Sequence, residues 1–388
     1  MTASEALEWL YSAQQFGIKL GLENTQRLLA AVGNPERRCR FLHVAGTNGK
    51  GSVCAMIDSI LRAGGYRTGL YTSPHLIDFR ERIRVNGEMI PGDDLARIIT
   101  ELRSATATWS HAPTFFELAT VLAIRHFADC ACEFVVLETG MGGRLDSTNA
   151  VTPIVSVLTP IAMDHSQWLG GTLAKIAGEK AGVLKSGVPA VSAEQTDEVV
   201  EVLRAKAREV GTSLEFITDS FEGAVGLRGS HQRSNAGLAR AAIKVARIPL
   251  DERSIWEGVA NVHWPGRFEV IGNFVLDGGH NLHASRQLVN VWRETFRHEK
   301  PRIIFGALED KDYREMLEVL SAIAREFLFV PVRSERSVEP ELLLAGCRSN
   351  ARVIESLQRA IELSRDELTL ITGSLFLVGE AMELLRRS

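Results

Sequence analysis

The chain has 388 residues, of which 45% are hydrophobic and 24% charged, with a net charge of -4. At roughly 150 residues per domain this length predicts two or three domains, and the balanced composition excludes disordered, collagen-like and tail-dominated chains. The mild negative charge and the lack of a basic stripe argue against a dedicated nucleic-acid binder.

The N-terminus, MTASEALEWL, lacks the basic start and apolar run of a signal peptide. Leu7, Leu10, Phe16, Leu28 and Leu29 predict helix, interrupted at Gly17, Gly21 and Gly33. Residues 40–45 (RFLHVA) read as a short buried strand, broken by Gly46-Thr47-Asn48-Gly49-Lys50-Gly51-Ser52. Beyond it Val53, Met56, Ile57, Ile60 and Leu61 recur at helical spacing until Gly64-Gly65. Strand, glycine loop and helix are the setting in which backbone N–H groups cradle phosphate and a lysine reaches its outer oxygens. The strict pattern is G-x-x-x-x-G-K-[ST]. Here Val44 takes the first glycine's place and Gly51 separates lysine from serine. The loop reads as a variant phosphate site, with a tight glycine turn and an exposed lysine as the alternative.

Residues 66–71 read as strand, 94–102 and 116–127 as helices, and 134–137 as strand. Glu138 opens a second glycine loop that runs to Asp146. A carboxylate at the C-terminal end of a parallel strand lies on the ligand edge of such a sheet. Glu138 is therefore placed to hold magnesium, to cap a helix or to pair with Arg144. Residues 154–158 read as strand, followed by Asp164-His165, where the histidine is a metal ligand or a surface or capping residue. Residues 173–181 read as helix, and composition alone makes its Lys180 an ordinary helical lysine.

Near Trp264-Pro265-Gly266 the chain turns into a second alternating series. Strands are predicted at 274–276, 303–305, 327–330 and 368–371. Helices are predicted at 282–295, at 313–324, from about Val353, and to Leu385 at the end. The expected fold class is α/β: a P-loop-type, mostly parallel sheet flanked by helices over residues 1–262, then a smaller Rossmann-like α/β domain over 263–388. Five cysteines, an odd and sparse set, do not form a disulfide framework, and Cys130-Ala-Cys132 lacks redox or zinc spacing. No apolar run exceeds about a dozen residues, short of a membrane span. A cytoplasmic protein without membrane partners is expected.

The motifs form an ordered set. They run from Phe16-Gly17-Ile18-Lys19-Leu20-Gly21-Leu22 through residues 43–52 and Thr72-Ser73-Pro74-His75-Leu76 to residues 138–149. Asp164-His165, Leu169-Gly170, residues 176–182, Gly229-Ser230-His231-Gln232 and Asn235-Ala236 follow. Trp264-Pro265-Gly266-Arg267, Asp277-Gly278-Gly279-His280-Asn281 and Gly373-Ser374 complete it. The set resembles the folylpolyglutamate synthase/dihydrofolate synthase family, within the Mur-type ATP-dependent amide ligases, over nearly the whole chain.

The resemblance implies a ligase that joins L-glutamate to dihydropteroate, to folate (poly)glutamates or to both. ATP would activate the acceptor carboxylate as an acyl phosphate, and ADP and phosphate would leave. It implies ATP, two magnesium sites and accessory K+, small-molecule substrates, and a monomer. By the same resemblance Thr47, Asn48, Gly49, Lys50, Gly51 and Ser52 would bind the ATP phosphates. Ser73 and Glu138 would hold the first magnesium. His165 and Lys180 would serve the second, with Lys180 carbamylated. Asn235, Arg267 and Asp277 would contact ATP, and Asp277 and His280 would complete the catalytic set with Lys50, His165 and Lys180 from a cleft between the domains.

Other matches keep two readings. Thr114-Phe115-Phe116-Glu117 is either a substrate-side segment or core. His75 and Arg82 either bind substrate anions or steady a loop. His231-Gln232 either position nucleotide or cap a helix. One departure is that Gly279 and Leu282 stand where relatives commonly carry alanine and proline, which bears on loop rigidity. Competing classes are a P-loop GTPase or kinase, weakened because no N-K-x-D tetrapeptide occurs, and a non-catalytic nucleotide-binding module. The second needs fewer of Lys50, Glu138, His165 and Lys180 than the chain retains.

Overall fold

Apolar runs of four to six residues, too short for helices, become strands buried on both faces. The computed structural model describes residues 1–17 and 21–387. Ile18, Lys19 and Leu20, part of the N-terminal motif, lie outside the described residues. Eight strands make the first sheet: β1 (Arg40–Ala45), β2 (Thr68–Tyr71), β3 (Ile83–Val85), β4 (Glu88–Met89), β5 (Phe134–Glu138), β6 (Pro153–Leu158), β7 (Ala190–Ala193) and β8 (Leu214–Ile217). Their order is β4-β3-β2-β5-β1-β6-β7-β8. Pairing is parallel except at the β2–β3–β4 edge. From β1 the chain first builds toward β2 and β5, then crosses to β6, so the strand order reverses around β1. Ligands of open α/β sheets gather beyond the strand ends at such a reversal.

The second sheet contains β9 (Glu269–Ile271), β10 (Phe274–Asp277), β11 (Arg302–Phe305), β12 (Glu326–Phe329), β13 (Ala351–Val353) and β14 (Thr369–Thr372), in the order β13-β12-β11-β14-β10-β9. Only β9–β10 is antiparallel. Strand alternation divides its core in two. Val275, Ile303, Phe305, Phe327, Phe329 and Leu370 pack on Trp292 and Leu288 of the helix Leu282–Phe296. Leu276, Ile304, Leu328 and Ile371 face Leu377, Ala381 and Met382 of the helix Leu375–Arg387.

The chain divides into two compact units. One contains Met1–His75, Arg80–Val225 and Ser234–Val262; the other contains Leu76–Phe79, Gly226–Arg233 and His263–Ser388. Two short segments of the N-terminal part therefore cluster with the second unit.

Several boundaries differ from the sequence reading. Val353 ends β13, and the next helix, Leu357–Glu362, starts later at Ser356, whose Oγ accepts Arg359 N–H at 3.2 Å. The β-branched pair Val353-Ile354 favours extended backbone, and the serine supplies the cap. The helix expected to reach residue 324 ends at Ser321. The stretch between residues 182 and 263 holds β7, β8 and the helices Asp197–Val210, Ser230–Val245 and Glu252–Ala260, none of which the sequence reading named. The signal was present in the first of these: Val199, Leu203 and Ala207 repeat every four residues and are buried, and Gly211 ends the helix in the left-handed region.

Candidate active site

β1 delivers the first glycine loop at the reversal point. Gly46 has φ 144°, and a Cβ there would run into the Thr159 side chain beyond β6, so only glycine lets the two segments touch. The loop's first half is held from outside. Pro160 O accepts N–H groups from Thr47 (3.0 Å) and Asn48 (3.2 Å), while Thr47 Oγ1 donates to Ala162 O (3.0 Å) and accepts from Ala162 N–H (3.1 Å). Thr47 thus spends its N–H and hydroxyl on the protein. Gly49, at φ 86°, turns the chain into the helix Lys50–Ala63. Asn235 of the helix Ser230–Val245 lies directly against Gly49, where a Cβ would stand 2.9 Å from Asn235 Oδ1. Lys50 curls back, its Nζ donating to Thr47 O at 3.2 Å. Lys50, Gly51 and Ser52 form the first turn of this helix, and the positive end of its dipole attracts an anion.

Glu138 ends β5 opposite Val44 of β1 and is buried. Its Oε2 accepts the Ser73 N–H at 3.1 Å, joining two residues expected to share a metal. Arg144 pairs instead with Glu179, Nη2 to Oε1 at 2.8 Å. The loop after Glu138 is braced by Asp146: Oδ2 accepts Met141 N–H (2.8 Å), and Oδ1 accepts Thr148 N–H (3.0 Å) and Thr148 Oγ1–H (2.5 Å). Burial raises the Asp146 pKa above its usual value, and these hydrogen bonds oppose the shift. Because Thr148 gives its proton to Asp146, it accepts from His43 Nε2 at 2.8 Å. This assigns His43 as the Nε2–H tautomer, and burial, helped by Lys185, pushes its pKa down to about 3.

Lys180 lies on the helix Leu173–Ala181 and is 3% exposed. Its Nζ donates to Gly46 O at 2.7 Å, which ties it to the first glycine loop. Burial, reinforced by the charge of Lys50, lowers its pKa to about 7, against the pull of Asp164 and Asp146. Gly143 makes room for this helix, since a Cβ there would stand 2.9 Å from Lys180 O. His165 sits at φ 51° before the short helix Ser166–Leu169. Its N–H donates to Asp164 Oδ1 (2.9 Å), and Nε2 lies 3.9 Å from Asp164 Oδ2.

The donor chemistry suits magnesium. No group of three or more His, Cys, Asp or Glu side chains forms a metal cage among the described residues. Magnesium commonly takes only one or two carboxylates from a protein and completes its shell with phosphate and water. Glu138 fits that role. A protonated Lys180 would repel the ion, whereas a neutral or carbamylated one would not.

In the second unit, Asp277 is a brace. Its Oδ2 accepts Phe268 N–H (3.0 Å) and Oδ1 accepts Gly279 N–H (2.9 Å). Burial raises its pKa, and the Arg267 guanidinium opposes the rise. His280 Nδ1 donates to Gly278 O at 2.9 Å. Asn281 caps the helix Leu282–Phe296 through Ala284 N–H (2.9 Å). Gly279 O accepts Gly373 N–H at 3.2 Å, and this pins the loop despite its extra glycine. Ser230, not His231, anchors the start of its helix, with Oγ 2.6 Å from Glu294. Burial brings the His231 pKa to about 4.

On the substrate-side segment, Thr114 and Glu117 form a reciprocal capping box (Thr114 N–H to Glu117 Oε2, 2.6 Å), and Asn24 also donates to Glu117. Arg82 is buried, and its Nε donates to His75 Nδ1 at 2.8 Å. Sequence reasoning missed the Thr159–Ala162 segment and Gln195. Their hydrogen bonds use mostly backbone groups, which leave no residue-type signal.

A family model described as Mur ligase middle domain matches residues 44–192, and one described as Mur ligase, glutamate ligase domain matches residues 266–375. The "Dihydrofolate synthase/folylpolyglutamate synthase" of Bacillus subtilis (strain 168) is 34% identical over 98% of this chain and 99% of its own length. A "Probable bifunctional folylpolyglutamate synthase/dihydropteroate synthase" of Haloferax volcanii is also 34% identical, and this chain spans 50% of that relative's length. Among solved structures, E. coli FolC in complex with DHPP and ADP superposes with a TM-score of 0.90 at 31% identity, covering 99% of this chain and 98% of that one. A bifunctional folylpolyglutamate synthase/dihydrofolate synthase with Mn, AMPPNP and L-glutamate bound gives 0.88 at 30% identity, covering 98% of both chains.

Proposed function

The chain belongs to the folylpolyglutamate synthase/dihydrofolate synthase family of Mur ligases, and from that premise we propose that it joins L-glutamate to dihydropteroate, to folate (poly)glutamates or to both at the expense of ATP. ATP and a divalent metal ion are its cofactors. The finer reading is two magnesium sites, with K+ as an accessory ion.

A carboxylate is a poor electrophile and must be activated. Here the acceptor carboxylate attacks the γ-phosphorus, ADP leaves, and an acyl phosphate forms. The glutamate amine then attacks the acyl carbon, loses a proton, and expels phosphate. Two anions must meet in the first step, so positive charge must be fixed around them. Lys50 and the first-turn amides after Gly49 supply it from the protein. Ser73 and Glu138 would hold one magnesium ion and His165 and Lys180 a second, and the metal would supply positive charge for the phosphate oxygens. Asn235, beside Gly49, and Arg267 serve the nucleotide. His280, held through Nδ1 by Gly278 O, joins the catalytic set. Asp277 keeps the His280 loop in shape.

The observation that carries this reading is Lys180. A lysine buried against Gly46 O with a pKa of about 7 is neutral in a large fraction at neutral pH. A neutral amine adds to CO2, forming the N–C bond and releasing one proton, and the product is an anionic carbamate. That turns a cation that would repel metal into an oxygen ligand that binds it. The test is ATP-dependent incorporation of labelled glutamate into dihydropteroate and, separately, tetrahydrofolate, with magnesium and potassium. Product is expected from at least one acceptor, and folded protein that makes product from neither would refute the assignment.

A further inference from the structure

The first half of the phosphate loop does not hold its own shape. Thr47 and Asn48 give their N–H groups to Pro160 O, Thr47 Oγ1 exchanges two hydrogen bonds with Ala162, and Ala45 O accepts Thr159 N–H at 2.8 Å. The segment Thr159–Ala162 is therefore a template against which residues 45–48 are set. It lies past the end of β6, where no strand continues, and Pro160 has no N–H with which to join a ladder.

One side chain fixes that template from the other side. Gln195 follows β7. Its Oε1 accepts Ile161 N–H at 2.9 Å, and its Nε2 donates to Thr159 O at 3.1 Å and to Ser192 Oγ at 3.2 Å. A carbonyl at one residue and an N–H two residues later is the pair that one edge of a neighbouring strand would engage. The carboxamide presents an acceptor and a donor in one plane, so Gln195 stands in for the missing strand on both sides of Pro160. Two residues beyond Ala162 come Asp164 and His165, and the same clamp sets where that pair begins.

We propose that Gln195 is a positioning residue for nucleotide binding: it holds Thr159–Ala162 so that Pro160 O and Ala162 can hold the phosphate loop open to the phosphates. This deepens the ligase reading and rests on it. The effect runs through backbone placement, so it falls on nucleotide affinity rather than on acceptor affinity.

The test is calorimetric titration of the full chain with ADP and magnesium, and separately with dihydropteroate. Gln195→Met keeps the side-chain length but removes both polar functions. Loss of all three hydrogen bonds, two of them to the template at Thr159 and Ile161, is expected to weaken ADP binding about tenfold, with dihydropteroate affinity within about twofold of the parent. Gln195→Glu keeps the acceptor for Ile161 N–H but loses the donor to Thr159 O, and should fall between the two. It also serves if Gln195→Met does not fold. ADP affinity unchanged in both variants overturns the proposal, as does an equal loss for ADP and dihydropteroate, which marks a general structural role. An unmutated protein that binds no ADP defeats the ligase reading itself, before any variant is compared.

Discussion

Lys180 shows how burial alone changes what a residue can do. An ammonium inside protein is costly, and here the Lys50 charge adds to the cost. The linkage sign follows. The folded pKa of about 7 lies below the unfolded value of about 10.4, so the unfolded chain binds more protons between those limits and stability rises with pH across that window. Lys180→Met removes the penalty. The variant is expected to be more stable than the parent at pH 7 and below, by an amount on the order of several kcal/mol, and to lose that advantage as pH approaches 10. Chemical denaturation at pH 6.5, 8 and 9.5 checks it, and a pH-independent difference would contradict the shift. The same variant should bind ADP yet turn over no substrate.

At the scale of elements, the site is made by loops that touch other elements through glycine. Gly143 brings the loop after β5 against the Lys180 helix, with Lys180 O and Val183 Cγ1 each 2.9 Å from a would-be Cβ. Asn149 Nδ2 seals the junction, donating to Arg144 O (3.0 Å) and Gly182 O (3.1 Å). Gly143→Ala must push the two apart. It is expected to cost about 1–3 kcal/mol of stability and to raise the magnesium concentration needed for half-maximal turnover. Unfolding curves and a magnesium titration give both readouts; unchanged values in both would show that the junction yields without consequence.

For the molecule as a whole, acid should be the weak direction. His43 is buried and His231 half-buried, and their pKa values are brought to about 3 and about 4 from 6.5. Each binds a proton in the unfolded chain before the folded one does. Stability is therefore expected to fall as pH drops below 6.5, with a slope approaching two protons between pH 6 and 5. Asp146 and Asp277, whose pKa values are raised by burial, act with the opposite sign between the unfolded carboxylate value and their raised folded ones. Melting temperature against pH checks this, and a flat profile from pH 7 to 5 would refute it.

Much of this protein was legible in order along the chain. Phosphate loop, acidic strand end, buried strands and the second α/β series are all encoded by short-range pattern: an apolar run, a glycine cluster, a period of two or 3.6. The helix Leu173–Ala181 came out to the residue. Boundaries failed where the pattern was weak, as at Val353, and between residues 182 and 263 the reading assigns motifs but no strand or helix, although the helix Asp197–Val210 carries a clear apolar stripe.

Sequence by itself determined the fold class and the family, because these depend on local periodicity and on an ordered set of motifs. Tertiary structure alone decided that Thr47 gives its N–H and hydroxyl to Pro160 and Ala162, that Glu117 caps its own helix, that Arg144 pairs with Glu179 and not Glu138, and that Gln195 bonds to both sides of Pro160. The reason is physical. Whether a polar group faces a ligand or a neighbour depends on which carbonyls and amides the fold brings within about 3 Å, and those partners lie 115 residues away for Thr47 and three for Glu117.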